Sequence, residues 1–211
     1  MAKTNRDVTT GTVRLNHVHI LQPHANNPGQ ELRYHVTLLI PKTDIATKQA
    51  LDAAINAAIA EGVSRSWGGM QPPLLNVPIH DGDGARPSDG MPYGAECKGH
   101  WVMSAASKTK PEVVDANVQP IIDAAEIYSG MYGRVSLLFY AYNSNGRKGV
   151  GCGLGNVQKV ANGEPLSGRS SAAEDFQPVA AAGNPAGGYT TPWESEAPSQ
   201  PRINPLTGLP M

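Results

Sequence analysis

Apolar and polar positions alternate with a period of two along several stretches of the chain, the pattern of half-buried strands. Thr12 to Leu21 reads as a first strand, stopped by Pro23, and Glu31 to Ile40 as a second. In the second, Leu32, Tyr34, Val36, Leu38 and Ile40 face one way, while Glu31, Arg33, His35 and Thr37 face the other. Pro41 ends it, and the period then changes. From Thr43, a natural N-cap with Asp44 in the first turn, to Glu61 the chain is alanine-rich. Ile45, Leu51, Ala54, Ile55, Ala58 and Ile59 fall on one stripe, with Gly62 as the C-cap, which predicts a helix. Residues 62–97 hold many Gly and Pro and no periodicity, a long insertion of a kind that is often functional. Gly99 to Lys108 returns as a third strand, and Val113-Val114-Asp115 as a short fourth.

The last and longest pattern, Ile127 to Val160, is a hairpin with one greasy face and one unusual face. Met131, Val135, Leu137, Phe139 and Ala141 lie on one side; Tyr132, Arg134, Ser136, Leu138, Tyr140 and Tyr142 lie on the other. Asn145-Gly146 is a strong two-residue turn signal, since both tolerate the positive φ of a type I′ turn. That turn pairs Tyr142 with Gly149, Tyr140 with Gly151, Leu138 with Gly153 and Ser136 with Gly155. Glycine inside a strand costs stability, so such a run marks either a ligand that approaches the backbone or aromatic rings that lie over it. In the first case the glycines form a bare floor on which bases stack, with Arg134, Arg147 and Lys148 holding phosphates.

Strand, strand, helix, insertion, strand, short strand and hairpin make a mainly β fold. It suits an elaborated five-stranded oligonucleotide-binding (OB) type β-barrel, with one α-helix after the second strand. The domain runs over 12–176 behind a polar leader, 1–11. Residues 177–211 contain 7 Pro and 4 Gly in 35 positions, too little apolar surface to offset the ordering entropy, and read as a disordered tail.

Charge changes this picture only slightly. Residues 1–170 carry 16 Lys+Arg against 14 Asp+Glu, and the remainder 1 against 4, a mildly basic body with a mildly acidic tail. No apolar run approaches the ~20 residues of a membrane span, and the start of the chain lacks a signal-peptide core. Two cysteines, Cys97 and Cys152, are too few for a disulfide framework or a cysteine zinc site.

Candidate chemistry is sparse. His17 and His19 share a strand face near His35, but nothing completes a zinc set. His80-Asp81-Gly82-Asp83-Gly84 fails the calcium-loop pattern, which would need ligands where Ala85 and Pro92 stand. No nucleotide-phosphate motif, nucleophile elbow or metalloprotease motif occurs, so no enzyme, cofactor or metal is expected. What remains is an interleaving of Trp67, Trp101, Tyr128, Tyr132, Tyr140 and Tyr142 with Lys98, Lys108, Lys110, Arg134, Arg147 and Lys148. Single-stranded nucleic acid needs those two ingredients: cations along phosphates and π-faces under bases. Some of these rings, Trp101 among them, are equally suited to a core.

Several motifs carry a family resemblance. They are Tyr-His-Val-Thr-Leu-Leu-Ile-Pro-Lys (34–42), Trp-Gly-Gly (67–69), Asp-Gly-Asp (81–83) followed by Arg86-Pro87, Lys-Pro-Glu-Val-Val-Asp (110–115), Tyr-Ser-Gly-Met-Tyr-Gly-Arg-Val-Ser (128–136), the hairpin turn (140–150), Gly-Leu-Gly-Asn-Val-Gln-Lys (153–159) and Gly-Arg-Ser-Ser-Ala-Ala-Glu-Asp-Phe (168–176). In order and spacing the chain resembles the phage-encoded single-stranded DNA-binding proteins with an oligonucleotide-binding fold. The resemblance implies a non-enzymatic coat for single-stranded DNA in phage replication or recombination, in the cytoplasm of a bacterial host. It also implies self-association along DNA and contact with phage replication or recombination proteins. The acidic tip of such relatives is weak here, with only Glu174, Asp175, Glu194 and Glu196. A mediator that anneals strands, and a structural protein that assembles without DNA, are the alternatives.

Overall fold

The computed structural model describes residues 4–25, 28–144 and 146–166. The chain divides into Met1–Arg169 and Ser170–Met211. The expected disordered tail, the motif at 168–176 and Asn145 of the hairpin turn lie outside the described residues.

The strands are β1 (Asp7–Thr9), β2 (Val13–His24), β3 (Arg33–Pro41), β4 (Ile79–Asp81), β5 (His100–Ser107), β6 (Val113–Val114), β7 (Tyr132–Ser144) and β8 (Arg147–Ala161), with helix α1 (Ile45–Glu61) after β3. Five of them close a ring in the order β7-β2-β3-β5-β8 and back to β7. All contacts around the ring are antiparallel except β5–β8, a parallel seam with one register pair, Ala106↔Gly153. β4 lies along the part of β5's edge that β8 leaves free, and β6 caps β8.

The period-two pattern explains the interior. Val13, Leu15 and Ile20 of β2, Val36, Leu38 and Ile40 of β3, Met103 and Ala105 of β5, Val135, Leu137 and Phe139 of β7, and Val150, Leu154 and Val157 of β8 form one buried cluster. Helix α1 adds Leu51, Ala54, Ile55 and Ala58 to it. Ile45, expected on the same stripe, is 64% exposed. Its place near the core is taken by Thr47, a buried polar residue whose Oγ1 accepts from Gly11 N–H at 2.9 Å.

Local details differ from expectation at the ends of elements. Asp44, not Thr43, caps the helix, its Oδ1 accepting from Thr47 N–H at 3.0 Å. Gly62 does not turn left-handed; it sits at φ −59° and the chain continues as a wider π-helical turn, Gly62–Ser66. The glycine is needed for space, since a Cβ would meet the Trp67 ring at 2.7 Å and Ala141 Cβ at 2.8 Å. The polar leader contains a strand that its single apolar residue, Val8, did not signal: β1 pairs with β7, and fully buried Thr10 exchanges hydrogen bonds with Val135. β2 runs past Pro23 to His24, because register shifts after Asn16 and after His19 let it bend without leaving β3.

Candidate nucleic-acid interface

The hairpin pairs as its turn requires: Tyr142↔Gly149, Tyr140↔Gly151 and Leu138↔Gly153. Below these rungs the register shifts by one residue, and the Ser136 hydroxyl accepts from Asn156 N–H at 2.7 Å across the bulge at Gly155 and Asn156. The glycine floor is not bare. A Cβ on Gly151 would lie 2.6 Å from the Tyr140 ring, and one on Gly149 would lie 2.7 Å from the Tyr142 hydroxyl. Glycine backbone left open would expose ladder groups and pack nothing, so the rings lie down on it. The surface on offer is the outer side of the rings, and Tyr140 is 39% exposed.

Three clefts run into one another, and the second and third of them touch this face. The first, about 550 Å³, is lined by His17, His19, His24, Arg33 and His35, with Cys152 on its floor. The second, about 470 Å³, shares His17, Thr37, Ser104 and Cys152 with the first and adds His80, Arg86, Tyr93 and Tyr142. The third, about 450 Å³, shares Asn76 and Tyr142 with the second and ends at Arg147 and Lys148. The shared residues make a continuous groove across β2, β3, β5 and the β7–β8 hairpin. Its lining holds tyrosine and histidine rings with Arg33, Arg86, Arg147 and Lys148, and also Glu31 and Glu96; Arg33 pairs with Glu31 at 2.9 Å and Arg86 with Asp89 at 3.0 Å.

Of the residues singled out from sequence, Tyr142, Arg147 and Lys148 line this groove, and Tyr140 covers Gly151 beside it. Lys98 is exposed next to Cys97, which lines the second cleft. Lys108 pairs at 2.7 Å with Glu31 at the rim of the first, while Lys110 is exposed beyond β5. The others stand elsewhere. Trp67 is 4% exposed and donates from Nε1 to the Tyr142 carbonyl at 3.0 Å, so its faces are spent on packing. Trp101 is covered by the chain's own lysines, with Lys42 and Lys48 ammonium groups 5.1 and 4.7 Å from the ring centre. Tyr128 is tied through its hydroxyl to Gly163, Tyr132 lies under Arg14, and Arg134 donates from Nε to the Thr10 carbonyl at 3.2 Å. These three lie at the far end of the hairpin, outside the three clefts.

The Asp-Gly-Asp motif is a latch. Lys42 Nζ bridges Asp81 Oδ1 at 2.5 Å and Asp83 Oδ2 at 2.7 Å, and Asp83 Oδ1 accepts from Gly99 N–H. The ammonium holds both carboxyls below their ordinary range, and they hold it above its own. Gly82 is required because a Cβ would press on the His100 carbonyl at 2.6 Å.

Sequence reasoning did not assemble the histidines. His19 and His24 stack at 4.4 Å and 13°, and His35 lies 4.6 and 5.9 Å from them. The i, i+2 spacing of His17 and His19 was visible, but a regular strand would send His24 to the opposite face. The second register shift brings it back. His19 and His24 meet face to face while His35 is tilted by 42° and 50° to them, and among the described residues no three His, Cys, Asp or Glu side chains are arranged to hold a metal ion. Arg33 and Tyr93 carried no motif signal, and Arg86 stood out only as part of the Arg86-Pro87 motif of the family resemblance.

The architecture recurs among solved structures. The single-stranded DNA-binding protein from bacteriophage Enc34, solved in complex with ssDNA, superposes with a TM-score of 0.65 at 25% identity, covering 79% of this chain and 96% of that one. A C-terminal truncation of it gives 0.62 at 26% identity, over 79% and 95%. Gp2.5, a single-stranded DNA-binding protein encoded by bacteriophage T7, shares the fold at a TM-score of 0.52 and 18% identity, over 81% and 99%. Putative protein p50 of Acyrthosiphon pisum secondary endosymbiont phage 1 is 29% identical over 186 residues, 81% of this chain and 95% of that protein. Residues 6–185 match the family described as "Enterobacter phage Enc34, ssDNA-binding protein", and the chain belongs to that family.

Proposed function

We propose that this protein coats single-stranded DNA without sequence preference during phage replication or recombination, as a binding protein rather than a catalyst. The observation that carries the reading is the continuous groove, which meets a strand with Tyr142, Tyr93 and histidine rings and with Arg33, Arg86, Arg147 and Lys148. Family membership and the ssDNA complex of the Enc34 protein support it. π-Faces accept every base, and cations follow phosphates, so affinity comes without readout of sequence. The host cytoplasm, assembly of copies along the strand and contact with phage replication or recombination proteins belong to the same reading. Among the described residues no helix is long and apolar enough to cross a membrane.

Fluorescence titration with oligo-dT and with duplex of equal length tests it. Oligo-dT is expected to bind far more tightly. With four groove cations engaged, log K should fall by about 3 per decade of salt, at ~0.7 per neutralised phosphate. Equal affinity for duplex, or a flat salt response, would sink the proposal.

A further inference from the structure

We propose that His17, His19, His24 and His35 form a proton-coupled phosphodiester site, in which DNA entering the first cleft is met by imidazolium groups that take up protons from solvent as it binds. The inference rests on the single-stranded DNA reading and adds a subsite and a linkage that the aromatic and basic lining does not imply.

Geometry carries it. Three rings lie within 6 Å of one another in an open cleft of about 550 Å³, and His17 joins them on its wall. A set of core histidines would be closed over; here His17 and His24 are exposed and His19 and His35 half-buried. His17 is held at φ +46°, in the left-handed region that side chains with a Cβ avoid. Asn16 stabilises that turn by accepting from His17 N–H at 2.7 Å, and Ser129 Oγ accepts from Val18 N–H at 3.1 Å. Strain of this kind persists where the surroundings enforce it, and it clusters at ligand sites. Its effect is to set His17 at the junction of the first two clefts, on the path of the strand.

Electrostatics then fixes the direction of the coupling. Imidazolium charges 4–6 Å apart repel, so without DNA the cleft favours neutral His19 and His35. Burial first, then neighbouring histidines, hold His19 below the ordinary histidine value; for His35 burial lowers it, the Arg33 carbonyl opposes, and His24 and His17 lower it further. The other charges facing the cluster are Arg33 on β3, Glu31 before it and Lys108 after β5. Both cations pair with Glu31, at 2.9 and 2.7 Å, so that carboxylate has little left to offer a histidine. From β8 the cleft receives only the Cys152 thiol, and from β3 and β5 the Thr37 and Ser104 hydroxyls. Among the described residues, no unpaired anion lines the cleft to balance the cluster from within. A phosphate supplies that charge, offsets the repulsion, and makes each proton added to a ring nitrogen favourable.

Calorimetry on the full chain decides the matter. Oligo-dT is titrated at pH 6.5 in two buffers of different ionisation enthalpy, and the affinity is followed from pH 8 to 6. The expected result is an apparent enthalpy that differs between buffers, reporting about one proton or more taken up. Affinity then rises toward low pH, by at most ~tenfold per unit for each linked proton. H19Q/H35Q should take up fewer protons and flatten the pH profile of affinity, whatever its affinity at pH 8. H100Q, outside the cleft, should behave as the unsubstituted chain. A second readout needs no substitution: the imidazole NMR signals of the cluster should titrate at higher pH once oligo-dT is added. Identical enthalpies in both buffers, or unmoved imidazole titrations, with oligo-dT still bound, would overturn the proposal and leave the DNA reading intact. Failure to bind oligo-dT at any pH would remove both.

Discussion

The ring of Tyr142 lies over Gly149 while its hydroxyl accepts from Asn76 Nδ2 at 3.1 Å, and the Asn76 carbonyl accepts from Val150 N–H at 2.9 Å. Packing, anchoring of the insertion and the groove wall therefore meet in one side chain. Two substitutions separate them. Tyr142→Phe keeps the π-face and gives up one exposed hydrogen bond, so oligo-dT affinity should stay within about threefold. Tyr142→Ala should cost ~1–3 kcal/mol of binding to every sequence alike. Titration of both variants with oligo-dT and a mixed-sequence strand reads the difference, and equal losses for Phe and Ala would refute the stacking role. The histidines carry a prediction on the free protein. His19 and His35 are held below the ordinary value, so between that lowered range and about pH 6.5 the unfolded chain binds more protons than the folded one. Stability should thus be flat above about pH 7 and fall as pH falls through the window, an effect that melting temperatures from pH 8 to 5.5 would show. The tyrosine–glycine pairs were legible in sequence because a two-residue turn fixes the rungs beyond it as far as the first bulge, where the expected pair of Ser136 with Gly155 is lost. The histidine cluster was only half legible, because His24 joins it through a register shift that no local pattern announces.

At the scale of elements, the stretch from α1 to Trp67 shows how packing overrides a local signal. Gly62 follows an apolar stripe as a left-handed C-cap would, yet its φ is ordinary and the Trp67 ring occupies the space above it. Gly62→Ala should therefore destabilise the fold by collision, by about 1–3 kcal/mol, as overpacking does. Urea denaturation would measure it, and a neutral or stabilising result would mean that the Trp67 ring shifts freely. Strands with a clear period-two face (β3, β5, β7 and β8) were readable from the chain. β1 and β4 were not, since each has three residues and exists only through the edge it borrows, from β7 and β5. The same limit applies to Trp67 and Trp101. A sequence shows that a ring is present, whereas whether its faces are free depends on the indole hydrogen bond of one and the lysines over the other.

For the whole molecule, the barrel was legible because five strands and a helix leave few closed arrangements, and the groove was not, because its lining comes from elements far apart in the chain. The parallel seam has a consequence of its own. β5 and β8 meet through the single pair Ala106↔Gly153, whereas β3 and β5 share eight successive pairs from Tyr34↔Ser107 to Pro41↔His100. Local opening begins where a ladder is thinnest, so amides flanking the seam should exchange with deuterium sooner than those between β3 and β5. The first cleft straddles this join, taking Ala105 and Ala106 from one side and Cys152 from the other. A strand of DNA lying there would act as a clasp across this seam, and bound oligo-dT should slow exchange at residues 104–107 and 152–154 more than at the β3–β5 ladder. The ligand would then complete a closure that the polypeptide makes with one rung.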